Sequence, residues 1–139
     1  MRRVLLMIMM LCIGTLTLSA QTRIGQRDRQ YSVQIDFGRA YISGLCLMSS
    51  EGEITTSSIV NEFGVSALTY RYDAERDKIK ILTILKQMNR PIVKAVLRRD
   101  LRKITVTLLR QPSDEMLKYE DAKYNVRYVF TPILEQKTE

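Results

Sequence analysis

From Tyr31 onward apolar and polar residues alternate. Tyr31, Val33, Ile35 and Phe37 enclose Ser32, Gln34 and Asp36, the period-two pattern of a strand with one buried face. Gly38-Arg39 turns the chain into a second extended stretch over residues 40–48, where Gly44 marks a bulge or a point of close backbone approach. Ser49-Ser50-Glu51-Gly52 has the composition of a tight turn, which gives a hairpin signature. The Thr-, Ser- and Ile-rich stretch 53–60 predicts a third strand. Asn61-Glu62-Phe63-Gly64 interrupts it, and 65–72 resumes with Ala67, Leu68, Tyr70 and Tyr72. A turn at 73–77 leads to a fifth stretch, 78–85, which begins Lys78-Ile79-Lys80-Ile81 and becomes fully apolar at Ile84-Leu85. Strands joined by such short turns pair antiparallel, because a parallel pair needs a crossover of about a dozen residues.

The period changes at Asn89-Arg90-Pro91. Asn89 is the expected cap, Pro91 suits a first helical turn, and Val93, Val96, Leu97, Leu101 and Ile104 then recur along one helical face. Lys94, Arg98, Arg99, Asp100, Arg102 and Lys103 fill the rest, so 89–104 predicts a basic amphipathic helix. The β-branched run 105–109 predicts a return to strand, and Gln111-Pro112-Ser113-Asp114 a turn. Residues 116–124 fit a short helix or a loop. Tyr124, Val126, Tyr128 and Phe130 then alternate with Asn125, Arg127 and Val129 in a last strand. The expected class is α+β: a curved antiparallel sheet, or half barrel, covered by one amphipathic helix.

The N-terminus follows a different pattern. Arg2 and Arg3 precede an almost unbroken apolar stretch over 4–17, and Leu18-Ser19-Ala20 supplies small residues before Gln21. This is the layout of a secretory signal peptide cleaved after Ala20, so the expected location is the periplasm. Cys12 follows Met10-Leu11, without the small residue that normally precedes a lipidated cysteine. The organisation expected is 1–20 signal peptide, 21–30 flexible lead-in, 31–134 a single sheet-plus-helix domain, and 135–139 polar tail. A chain of 139 residues has room for one core only.

Composition narrows the chemistry. Apolar residues make up 45% and charged residues 27%, an ordinary globular balance. His and Trp are absent, and after cleavage one thiol remains, Cys46, which its neighbours Leu45, Leu47 and Met48 mark as a buried small residue. Without His the usual nucleophilic triad cannot form. Glu51 and Glu53, Asp114 and Glu115, and Glu120 and Asp121 read as solvated turn residues rather than a paired acid and base. No enzymatic activity, cofactor or metal is expected.

Charge is concentrated in one segment. Residues 86–110 carry Lys86, Arg90, Lys94, Arg98, Arg99, Arg102, Lys103 and Arg110 against Asp100 alone, a local +7 that exceeds the +5 left to the whole chain once Arg2 and Arg3 are removed. Two readings stay open: a solvated outer face, or an attraction to anionic lipid headgroups or an acidic partner, with each basic residue near such a surface contributing about 1 kcal/mol. Export and the lack of an aromatic-bearing recognition motif argue against nucleic acid.

Three stretches carry a resemblance: Ser43-Gly44-Leu45-Cys46-Leu47-Met48, then 60–70 from Val60-Asn61-Glu62-Phe63-Gly64 to Tyr70, then Val96-Leu97-Arg98-Arg99-Asp100-Leu101. Their order resembles small exported proteins of Gram-negative bacteria. It is also similar to the central region of the lipoprotein-localisation carriers and receptors, over roughly residues 31–109. The resemblance implies a half-open barrel with a helical lid that holds an acyl chain, lipid or lipoprotein. The interior would then be lined by Leu45, Leu47, Val60, Leu68, Tyr70, Ile81 and Val93, with Lys94, Arg98, Arg99 and Arg102 at the headgroup. The competing expectation is an envelope interaction or scaffold protein, in which the same side chains meet as a filled core and the basic surface docks an anionic membrane surface or an acidic envelope protein.

Overall fold

The computed structural model describes residues 27–134 of the chain. The expected signal peptide, lead-in residues 21–26 and the tail 135–139 lie outside the described residues. The elements run β1 (Arg27–Asp36), β2 (Tyr41–Glu51), β3 (Ile54–Val60), β4 (Ser66–Asp73) and β5 (Lys78–Ile84). A 3-10 turn (Lys86–Met88) leads to α1 (Pro91–Arg110), and β6 (Leu117–Asp121) and β7 (Val126–Pro132) follow. The seven strands of the described residues form one antiparallel sheet in the order β5-β4-β3-β2-β1-β7-β6. Among the described residues the sheet curls into a half barrel around one long helix, an α+β fold.

Two contacts, one at a glycine and one at an arginine, fix how the elements meet. A Cβ on Gly44 would stand 2.1 Å from the Val60 carbonyl oxygen, so β2 and the end of β3 approach at a distance only glycine allows. The β3–β4 register shifts at Ile59/Val60, beside that contact. The second feature is Arg29, which donates from Nη1 to the Leu108 carbonyl and, at 3.5 Å, to that of Gln111, placing a cation against the C-terminus of α1 where the helix dipole favours it. β1 thus begins at Arg27, four residues earlier than the alternation at Tyr31 indicates, and residues 27–30 are sheet rather than flexible lead-in.

Three further expectations are corrected. The run 105–109 is helix, not strand, because Ile104 and Leu108 extend the buried stripe of Leu97 and Leu101, and packing of that stripe overrides local β propensity. Pro112 follows the end of α1 and cannot continue it. Asn89 is not the cap; Arg90 occupies that position without a side-chain bond. Within 116–124, β6 is a strand, held by its ladder with β7.

The core lies between the concave sheet face and the inner stripe of α1. β1 contributes Tyr31, Val33 and Ile35, β2 Cys46 and Met48, β4 Leu68 and Tyr70, β7 Tyr128 and Phe130, and the helix Leu97, Leu101, Ile104 and Leu108. The rings of Tyr31 and Phe130 meet edge to face with centroids 6.0 Å apart. Among the described residues no helix is long and apolar enough to cross a membrane.

Candidate functional site

Seven apolar residues were expected to line an interior, and strand alternation divides them. Leu68 and Tyr70 lie beneath the helix with no accessible area, and Ile81 and Val93 pack half-buried against the core. Leu45 and Val60 are register partners on the outer face, and Leu47 beside them is exposed. Cys46 and Met48 take the inward positions of β2, so its odd-numbered leucines point out. An unbroken apolar run conceals which parity is buried.

The space beneath the helix is occupied. Tyr31, Cys46, Ile59, Leu68 and Tyr70 on the sheet, and Leu97, Leu101, Ile104 and Leu108 on the helix, are each 0% exposed, so no sphere the size of a water molecule fits beside them. Burial pushes the Cys46 thiol up to about 12, leaving it protonated and unreactive at neutral pH. The hydroxyls of Ser57, Tyr70 and Thr105 converge within this core. Burial raises the Tyr70 phenol, and Ser57 and Thr105 temper the rise, yet none of the three oxygens finds well-formed hydrogen-bond geometry.

Two helix arginines reach opposite sides of the curled sheet. Arg102 Nη1 lies 2.8 Å from Asp77 Oδ2 at the β4–β5 turn, where the Tyr72 hydroxyl donates to the other oxygen of Asp77 at 2.8 Å. Arg99 Nη2 lies 2.5 Å from Asp121 Oδ2 at the end of β6, and its guanidinium carbon stands 5.3 Å above the Tyr124 ring. Asp100, next to Arg99, turns inward. Its Oδ2 accepts from the Tyr128 hydroxyl at 2.8 Å, while Oδ1 lies 3.6 Å from Arg99 Nε with no hydrogen bond of its own.

Burial pushes the Asp100 carboxyl up to about 6; the Tyr128 bond opposes that rise and the neighbouring Asp121 adds to it. Asp121 behaves oppositely. Burial would raise it, but Asp100, Arg99 and the Tyr124 backbone N–H together hold it below the usual carboxylate range. Asp121 is therefore buried structure, not the solvated turn residue its Glu120 neighbour suggests. Two carboxyls with separated pKa values are the pattern of an acid–base pair. Here, however, the Asp100 carboxyl has no accessible area, and the described surface hollows are lined by other residues. No signal in the sequence joins Asp100 to Asp121, because they meet only through the docking of α1 on β6.

Of the four cations expected to contact a headgroup, Arg99 and Arg102 are thus committed to carboxylates of the fold. Lys94 and Arg98 make no ion pair among the described residues, with Arg98 exposed and Lys94 half-buried. No cluster of His, Cys, Asp and Glu able to hold a metal ion occurs among the described residues. Comparison with protein-family models, with curated proteins and with solved structures gives no match for this chain.

Proposed function

We propose that the protein is a non-enzymatic docking module of the cell envelope, exported to the periplasm, that presents a basic surface to an anionic partner. The observation that carries this reading over acyl-chain carriage is the filled interior. Side chains with no accessible area on both the sheet and the helix leave a ligand nothing to displace short of unpacking the core. Among the described residues Lys94 and Arg98 on the N-terminal half of α1, continued by Lys86 and Arg90 ahead of the helix, make no ion pair, and Lys103 and Arg110 further along it are likewise exposed without one. The first helical turn contains no acidic residue, so Arg90 at the cap and Lys94 in that turn oppose the helix dipole, an arrangement that an anion relieves.

Two measurements separate docking from carriage. Titration of the delipidated protein with a fluorescent fatty acid is expected to show no saturable binding; saturable uptake would restore carriage of an acyl chain, lipid or lipoprotein. Chemical crosslinking in envelope extract is expected to yield an anionic adduct that the Lys94→Glu, Arg98→Glu double variant loses. An adduct indifferent to that charge reversal would reject the basic surface as the contact.

A further inference from the structure

The connections at the two ends of the sheet carry opposite charge. At one end lie 37–40, 61–65, 85–90 and 122–125, which hold Arg39, Lys86, Arg90 and Lys123 against Glu62, net +3. At the other lie 52–53, 74–77 and 111–116, which hold Glu53, Glu75, Asp77, Asp114 and Glu115 against Arg76, net −4. The positive end also exposes large apolar side chains. Phe63 is 81% exposed and Ile92 71%, with Tyr41 and Val65 also exposed. The negative end exposes Met116, Ile133 and Leu134 as well, so what sets the positive end apart is that its apolar tips stand among cations.

Phe63 is held outward by its own loop. The Asn61 side-chain oxygen accepts from the Phe63 and Val65 backbone N–H groups, both at 3.0 Å, and the Asn61 N–H donates to the Val65 carbonyl at 2.9 Å. Gly64 supplies the positive φ of +76° that closes the turn, and its N–H returns to the Asn61 carbonyl at 3.0 Å. Phe63, Tyr41 and Leu85 then border a hollow of about 240 Å³. The loop is ordered without using its aromatic side chain in the core.

We propose that this positive end docks on an anionic lipid bilayer, with Phe63 and Ile92 entering the interface while Lys86, Arg90 and Arg39 meet headgroup phosphates. This names the partner of the basic surface proposed above and rests on that reading. Cations ringing apolar tips match a bilayer interface, which is anionic at the headgroups and apolar just beneath them. An acidic protein surface would satisfy the cations and leave Phe63 and Ile92 unused. The negative end of a second copy offers charge complementarity as well, and the test separates it.

The chain beginning at Gln21 retains every described element and lacks the apolar N-terminal stretch, so it is the form to use. Co-sedimentation with phosphatidylglycerol-containing vesicles at low salt is expected, with loss at high salt and none to pure phosphatidylcholine. Phe63→Ser and Ile92→Ser, which leave charge unchanged, are each expected to weaken vesicle binding roughly tenfold. Lys86→Glu with Arg90→Glu is expected to abolish it, whereas Glu75→Lys with Glu115→Lys at the far end is not expected to weaken it. Absence of binding, or binding that the Phe63 and Ile92 changes leave intact, would overturn the proposal. So would a concentration-dependent mass in lipid-free sedimentation that Phe63→Ser removes, which would assign the end to a second copy. If vesicle binding fails but the crosslinked adduct still depends on Lys94 and Arg98, the bilayer is rejected and the docking reading stands.

Discussion

Asp100 is the residue whose placement has the most direct measurable consequence. Its carboxyl is raised from the ordinary aspartate value to about 6, so the folded state holds its proton more tightly than the unfolded chain does. The stabilisation that proton gives is complete below about pH 4 and is lost as the pH rises through about 6. Asp121, held low, works in the other direction: its contribution is present above the ordinary aspartate range and fades as the pH falls through its lowered value. The wild-type protein is therefore expected to lose about 1–3 kcal/mol of stability between about pH 4 and pH 7. Asp100→Asn keeps a neutral group opposite the Tyr128 hydroxyl and should flatten that dependence. Urea unfolding of both proteins at several pH values decides the matter; parallel curves would show that Asp100 does not carry the titration. Tyr128→Phe removes the hydroxyl that donates to the Asp100 carboxyl, so its folded pKa should rise further and the loss should shift to higher pH, visible in the same unfolding series.

Single elements depend on contacts too distant in sequence for periodicity to show. Arg29 closes the C-terminus of α1 from β1, and Arg29→Ala is expected to cost about 0.5–2 kcal/mol, with fraying of the last helical turn visible as faster amide exchange at residues 108–111. Gly44→Ala sets a methyl against the Val60 carbonyl and is expected to cost about 1–3 kcal/mol, read by thermal unfolding; an unchanged midpoint would mean that β2 moves aside freely. These two positions also show what the sequence discloses. Gly44 was legible as a point of close approach because a glycine inside an extended run has few other uses, whereas nothing marks Arg29 as a helix cap. Strands β1 to β5 and β7 follow from alternation and turn chemistry. The last turns of α1 do not, because Thr105, Val106 and Thr107 favour extended backbone locally and become helical only when Ile104 and Leu108 find the sheet. The basic residues were legible as a cluster; that Arg99 and Arg102 spend their charge on Asp121 and Asp77 was not, since those partners lie 22 and 25 positions away.

At the scale of the whole molecule, chain order and sheet order disagree in an instructive way. β1 is the first described element, yet it lies inside the sheet, paired with β2 on one side and with β7 on the other. The sheet is thus completed only after α1 has crossed its concave face and returned the chain through β6. The helix then joins both flanks, through Arg102 to the β4–β5 turn and through Arg99 to β6. No hairpin or arm can therefore detach while leaving a closed core, and unfolding is expected to be a single cooperative transition. Ending the chain after Gln111 tests this directly. The truncation removes β6 and β7, turns β1 into a bare edge, and strips Tyr128 and Phe130 from the cluster that covers Tyr31, Val33 and Ile35. A long unpaired edge with apolar neighbours is prone to intermolecular pairing, so the truncated protein is expected to be insoluble or to sediment as aggregate. A soluble monomer with a cooperative melt would show instead that β1 to β5 and α1 form a core of their own, and that β6 and β7 are an addition to it rather than its closure.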